Sequence, residues 1–282
     1  MKKILIILIL ILEISLFIYS NDIIIEFKNT INICLYSLMP TMFFSIFFSN
    51  FLLLNNFYKI IPSKHNQLYS VIILSILSGY PNNIKLLKNS NNEYLNYFTN
   101  FVNPIFFIGT VNNIYLKNIE LSILILISHY ISSIILLIIF RKKYINTNIF
   151  KNNNDSIETT YFKSIKNTIE TLSIIFSNLL FISLLITLLK LINVNPFIIG
   201  LLEFSKGIYE ISISNYSYFL KALLILIIIT FGSFSIHFQI ISINDKIKYI
   251  KFLLFRILNV LISIIIFLLV YKIYYLIKIY IY

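Results

Sequence analysis

Tryptophan is absent from this 282-residue chain, and there is one cysteine (Cys34), one alanine (Ala222), five glycines and five prolines. Only two arginines stand against 21 lysines, Arg141 and Arg256. Scarce Ala, Gly, Pro and Arg beside abundant Ile, Asn, Lys and Tyr point to an AT-rich coding sequence, so part of the composition reports on codons. Charged residues make up 12%, about half the share of an ordinary soluble domain. A single cysteine excludes a disulfide framework and argues against a thiolate-bound metal. The sequence shows no glycine-rich phosphate loop, no His-x-x-x-His pair and no nucleophile with a base beside it, so no enzyme is expected. Neither a metal nor a cofactor is expected.

What is present is apolar. Hydrophobic residues make up 59%, and the mean hydropathy of +0.88 belongs to a chain that lives in a lipid bilayer. A formal charge of +12 could mark a nucleic-acid binder. In a membrane protein the same lysine excess marks cytoplasmic loops, so no nucleic-acid partner is expected.

A spanning helix needs about 20 mostly apolar residues. Residues Ile4–Ser20 nearly qualify. A signal peptide is the alternative reading, but Glu13 interrupts the apolar run and no small-residue cleavage site follows. Further apolar segments cover Thr30–Leu54, Leu95–Tyr115, Leu121–Phe140, Thr168–Ile192, Tyr218–Ile243 and Phe252–Tyr275. Two more segments, Leu68–Asn92 and Pro196–Ser214, are apolar on one arm and polar on the other.

Charge sets the direction. The segment Arg141–Lys166 carries six basic and two acidic residues, and Asp245–Arg256 carries four and one. Both are assigned to the cytoplasm, with a cytoplasmic N-terminus beside Lys2 and Lys3. Parity then requires Leu68–Asn92 to be a re-entrant hairpin from the cytoplasmic side and Pro196–Ser214 one from outside. The expected fold is an all-α polytopic membrane protein of about seven transmembrane helices plus two re-entrant hairpins, arranged as an inverted repeat.

Glycine and proline mark the same places. Gly79, Pro81, Pro196, Gly200 and Gly207 fall in the hairpins. Pro104 and Gly109 fall in the span after the first hairpin, and Gly232 in the span after the second. Breaks in lipid are tolerated where protein satisfies the freed backbone groups or where they line a wet cavity.

Polar residues gather there too. The candidate solute-binding residues are Gly79, Tyr80, Pro81, Asn82, Asn100, Asn103, Pro104, Glu203, Gly232, Ser233, Ser235, His237 and Gln239. Asn82 and Asn83 read equally as hairpin-tip residues, and His237 equally as a helix-packing group. Lys85 reads as a basic residue snorkelling to the cytoplasmic face. His129 reads as helix packing and His65 as a loop residue.

Four ordered stretches carry a resemblance. They are Ser-Gly-Tyr-Pro-x-x-x-Lys at 78–85, Asn-Pro-Ile-Phe-Phe-Ile-Gly-Thr-Val at 103–111, Gly-Leu-Leu-Glu-Phe-Ser-Lys-Gly at 200–207 and Phe-Gly-Ser-Phe-Ser-Ile-His-Phe-Gln at 231–239. With Met39-Pro40 in a Phe-rich helix, they resemble the YlbJ-type sporulation integral membrane proteins. That family carries the nucleoside-recognition (Gate) domain also found in concentrative nucleoside transporters. The chain departs from it at Asn83 and Ile84, at Ser233 and at Lys206, where the family tends to have Gly or Ala, Gly, and Asn.

The resemblance implies a multi-pass protein of the cell membrane, required in sporulation and similar to a transporter core. It implies an N-terminal transmembrane helix and external link (1–28), a first Gate-like half (29–140), a cytoplasmic basic loop (141–167) and a second Gate-like half (168–282). The expected partners are the lipid bilayer and a small polar solute. A coupling cation held by Glu203 or Glu210, a homo-oligomer and docked sporulation membrane proteins are further alternatives. A non-transporting scaffold is the rival role.

Overall fold

Every regular element is helical among the residues that the computed structural model describes, namely 2–88, 90, 93–143, 149–150 and 152–281. In lipid, a run without Gly or Pro can satisfy its backbone only within itself, and the helix does so. Among the described residues, five helices are long and apolar enough to cross a membrane: Ser20–Leu54, Ile119–Ile139, Ile157–Leu191, Tyr218–Ile243 and Tyr249–Lys278. Several helices are capped at their start by a polar side chain. Asn118, Ser156 and Ser217 each accept a backbone N–H from the first turn.

The chain begins with α1 (Lys2–Ile18), which runs into α2 (Ser20–Ile33). Tyr19 N–H donates to Ser15 O and Ile23 N–H to Tyr19 O, both at 3.0 Å, so the hydrogen-bond ladder passes through the joint. Residues 21–28, expected as an external link, are therefore helical. A π-helical turn (Cys34–Leu38) joins α2 to α3 (Met39–Leu54) and accommodates Pro40 in the first turn of α3. The composite helix lies antiparallel to α9 (Ile157–Leu191). Asn55 meets Thr160 at one end of the pair, and Glu26 meets Lys190 at the other.

These contacts define two ends of the molecule. At the loop end, the segment after α8 (Ile119–Ile139) is pinned to the turn after α3. There Asn56 Nδ2 donates to Asn153 O at 2.7 Å, and Gln67 Oε1 accepts from Ile149 N–H at 2.6 Å. At the far end lie the ion pairs of Lys190 and the pair Lys278–Glu120.

Four interruptions fall between the ends. Helix α4 (Asn66–Ser78) starts at the loop end, and α5 (Asn82–Leu87) follows the break at Gly79–Pro81. Asn82 lies beside Thr171, whereas Lys85, one turn on, lies beside Asn167 O and Glu170. Helix α5 thus runs back toward the loop end. Next, α6 (Glu93–Phe98) leads from that end to an irregular stretch at 99–103. Helix α7 (Pro104–Phe106) then continues as a π-helix (Phe107–Leu116) to the far end, where Tyr115 packs on Tyr209. Residues 95–115 are therefore not one helix, because Asn103 and Pro104 start a new one.

In the second half, α10 (Pro196–Leu202) and α11 (Phe204–Ile213) fold against each other from the far end, with the break at Glu203. Helices α12 (Tyr218–Phe231) and α13 (Ser233–Ile243) cross from the far end to the loop end, broken at Gly232. The last helix, α14 (Tyr249–Ile281), returns along α8 and α12.

One charge assignment is overturned. Arg256, counted above with the basic connection before the last span, is 1% exposed inside α14.

Candidate functional site

The four breaks meet, and Tyr80 joins them. Its N–H donates to Phe101 O at 2.9 Å, in the second break. Its hydroxyl donates to Ile229 O at 3.4 Å, at the end of α12. Its ring stands edge-on to Phe204, beside the third break. Gly79 makes this approach feasible. Its φ is +70°, and a Cβ there would lie 2.7 Å from Asn103 N. The Tyr80–Pro81 bond is cis.

Asn103 ties the first break to the second. Its Oδ1 accepts Phe106 N–H at 3.0 Å and caps α7, while its Nδ2 donates to Ser45 Oγ, Leu77 O and Ser78 O at 2.6, 3.1 and 3.3 Å. Every polar atom of the side chain is thereby used inside the fold. Asn103→Ala is expected to lower stability by about 2 kcal/mol, from a lost cap and stranded buried acceptors. Thermal melting of the purified protein in detergent measures this, and an unchanged melt would refute the assignment.

Asn100 is held differently. Its Oδ1 accepts from Asn83 Nδ2 at 3.1 Å, and its Nδ2 donates to Asn96 O at 2.7 Å. Pro104 opens α7, where its missing N–H costs nothing.

The third break is built by Glu203, which is 0% exposed. Its Oε2 accepts from Ser205 Oγ at 2.6 Å and from Lys206 N–H at 2.7 Å, capping α11. Ser233 joins this element to the fourth break by donating its hydroxyl to Gly200 O. Gly232 ends α12 with φ +86°.

Arg256 and His129, both assigned elsewhere by the sequence, span the halves. Arg256 Nε donates to Phe231 O at 2.9 Å and Nη1 to Asn100 O at 3.4 Å, so one guanidinium caps the carbonyls at both broken helices. Among the described residues no carboxylate lies within ion-pair distance of it. His129 Nε2 accepts Val102 N–H at 3.0 Å, which leaves Nδ1 as the protonated nitrogen, donating to Thr230 Oγ1 at 3.1 Å. Two signals could have found Arg256. It is an arginine in a chain that otherwise chooses lysine, and it is a charge set in the run Phe252–Leu258.

His237 lies one step outward. Its Nε2 donates to Phe231 O at 3.0 Å, and its ring packs among Phe231, Phe234, Tyr249 and Phe252. Gln239 is buried further along α13, and among the described residues its amide makes no hydrogen bond to the breaks. Lys85, expected to snorkel, pairs with the exposed Glu170 at 2.8 Å.

Several buried atoms keep hydrogen-bonding capacity without a protein partner: Asn82 Nδ2, Asn83 Oδ1, Glu203 Oε1, Ser235 Oγ and Arg256 Nη2. Each such group costs about 1–3 kcal/mol when left unsatisfied, more if charged. These spare donors and acceptors come from both halves and lie buried within the fold. Compared with family profiles, with curated proteins and with solved structures, the chain matches none.

Proposed function

We propose that the chain is a transporter-like multi-pass membrane protein that moves or senses a small polar solute at the meeting point of its four breaks. In this reading α4–α5 and α10–α11 are re-entrant hairpins from opposite faces, and the two halves form an inverted repeat. The loop end, with its basic segment, is the cytoplasmic face.

The observation that carries the reading is the bridging of both halves at their breaks. Tyr80, His129 and Arg256 each bond a broken backbone of one half to the other half. A rocking motion between halves would open and remake those bonds around a fixed site. Broken helix ends with partial negative charge commonly coordinate a coupling cation. Here the guanidinium of Arg256 supplies that positive charge from the chain itself. Action in sporulation, and in the cell membrane, rests on the motif resemblance alone.

Flux into proteoliposomes tests the reading, with labelled uridine, adenosine, glucose and neutral amino acids as probes. One of them is expected to accumulate above protein-free vesicles, and Ser235→Ala, which removes a buried hydroxyl that bonds no group of the fold, is expected to lower this while folding normally. A second reading, a non-transporting scaffold, is favoured by Asn103 and His237, whose polar atoms are engaged within the fold. Absence of flux for every probe, with a stoichiometric partner purified from sporulating membranes, would replace the first reading by the second.

A further inference from the structure

At the far end, on the outer side of the third break, a cavity of about 400 Å³ opens between α2, α9, α11 and the π-helix after α7. That volume lies within the range of small-molecule sites. Four charges in a row line it. Lys206 Nζ lies 2.6 Å from Glu26 Oε1, Glu26 Oε2 lies 3.3 Å from Lys190 Nζ, and Lys190 Nζ lies 2.7 Å from Glu210 Oε1. Tyr115 and Tyr209, in edge contact at 5.7 Å, form part of the wall.

The helical repeat explains why these groups share one face. Lys206, Tyr209 and Glu210 sit at i, i+3 and i+4 of α11. Glu26 comes from α2, and Lys190 from the last turn of α9.

The order of signs limits what can bind. The row reads plus, minus, plus, minus, and its sum is zero. A solute with one charge would meet as much repulsion as attraction along it. A solute carrying both charges can align each with an opposite partner. Lys206 and Glu26 are nearly closed off, with side chains 4% and 11% exposed, and form the fixed inner pair. Lys190, with a side chain 38% exposed, and Glu210, at 21%, form the outer pair, which has room to exchange partners. An ammonium can take the place of Lys190 between Glu26 and Glu210, while the displaced lysine meets the solute's carboxylate.

We propose that this cavity is a binding site for a small zwitterion of amino-acid size. It adjoins the third break through Lys206, and binding here does not require that solute to be transported.

The test uses the purified full chain in detergent, with the standard amino acids as probes in thermal-shift and calorimetric titrations. At least one is expected to bind. Its N-acetyl derivative, which lacks the ammonium, and its carboxamide, which lacks the carboxylate, are each expected to bind at least about tenfold more weakly, equivalent to about 1.4 kcal/mol. Glu210→Gln is expected to weaken binding by a similar factor, and Lys190→Arg, which keeps the charge, to retain it. If no amino acid binds the wild-type chain, or if the single-charge derivatives bind as tightly, the proposal is overturned and the four charges serve only to fasten the helices.

Discussion

Arg256→Ala is expected to destabilise the protein by about 3 to 5 kcal/mol, the cost of losing two charge-assisted hydrogen bonds in a buried setting. The guanidinium holds Phe231 O and Asn100 O together, and its removal strands the second of these among buried groups. Phe231 O keeps its bond from His237, so the damage should concentrate at the 99–103 break. Lysine should not substitute. Its single ammonium lacks the planar fork that reaches two acceptors at once.

The more telling result is chemical rescue. If Arg256 stands where a cation would otherwise sit on two helix ends, guanidinium at millimolar levels, far below denaturing concentrations, should raise the melting temperature of Arg256→Ala. The same addition should leave the wild type unchanged. A variant that melts with the wild type, or one that guanidinium does not restore, would remove Arg256 from this role. Sodium that rescues equally well would show that charge matters there and fork geometry does not.

Gly207→Ala is the second large effect. A Cβ on Gly207 would lie 1.9 Å from the Cα of Gly200 and 2.4 Å from its nitrogen. These are backbone atoms, which no rotamer change can move aside. Helices α10 and α11 would have to part, and with them the Glu203 turn and the Ser233–Gly200 bond. Overpacking of this kind typically costs about 1–3 kcal/mol, and the backbone-to-backbone clash places it at the top of that range or above. Gly109→Ala is the control, because its added Cβ would meet only a methyl of Thr41 at 3.3 Å. Melting in detergent and the monodisperse yield after gel filtration report both. Equal behaviour of the two variants would show that the α10–α11 contact is not tight.

Much of this architecture is legible in the sequence because lipid leaves the backbone few choices. A long aliphatic run must be helical, so length and composition locate Ile119–Ile139 or Tyr218–Ile243 without further information. Scarcity helped as well. With only ten glycines and prolines, the clusters at 79–81, 103–104, 200–207 and 232 stand out as the places where helices end. At the site, Gly79, Tyr80, Asn103, Glu203 and Ser233 were all nameable from such clusters, and the fold brings them together.

What was not legible depends on contacts between residues far apart in the chain. Arg256 looks like one more loop cation because charge counting takes no account of depth, yet helix α14 carries it inside. His129 looks like a packing residue, yet Val102, 27 positions away, and Thr230, 101 positions away, make it a clasp between the halves. Asn103, which looks like a solute ligand, uses its amide on Ser45 and the end of α4. The far-end row of charges is assembled from residues 26, 190, 206 and 210, which come from three separate helices.

Local chemistry thus determined where helices form and break, because a backbone group must find its partner within a few residues or not at all. Side-chain roles were decided only by tertiary structure, since whether an amide, imidazole or guanidinium is free to act depends on which distant carbonyl it meets.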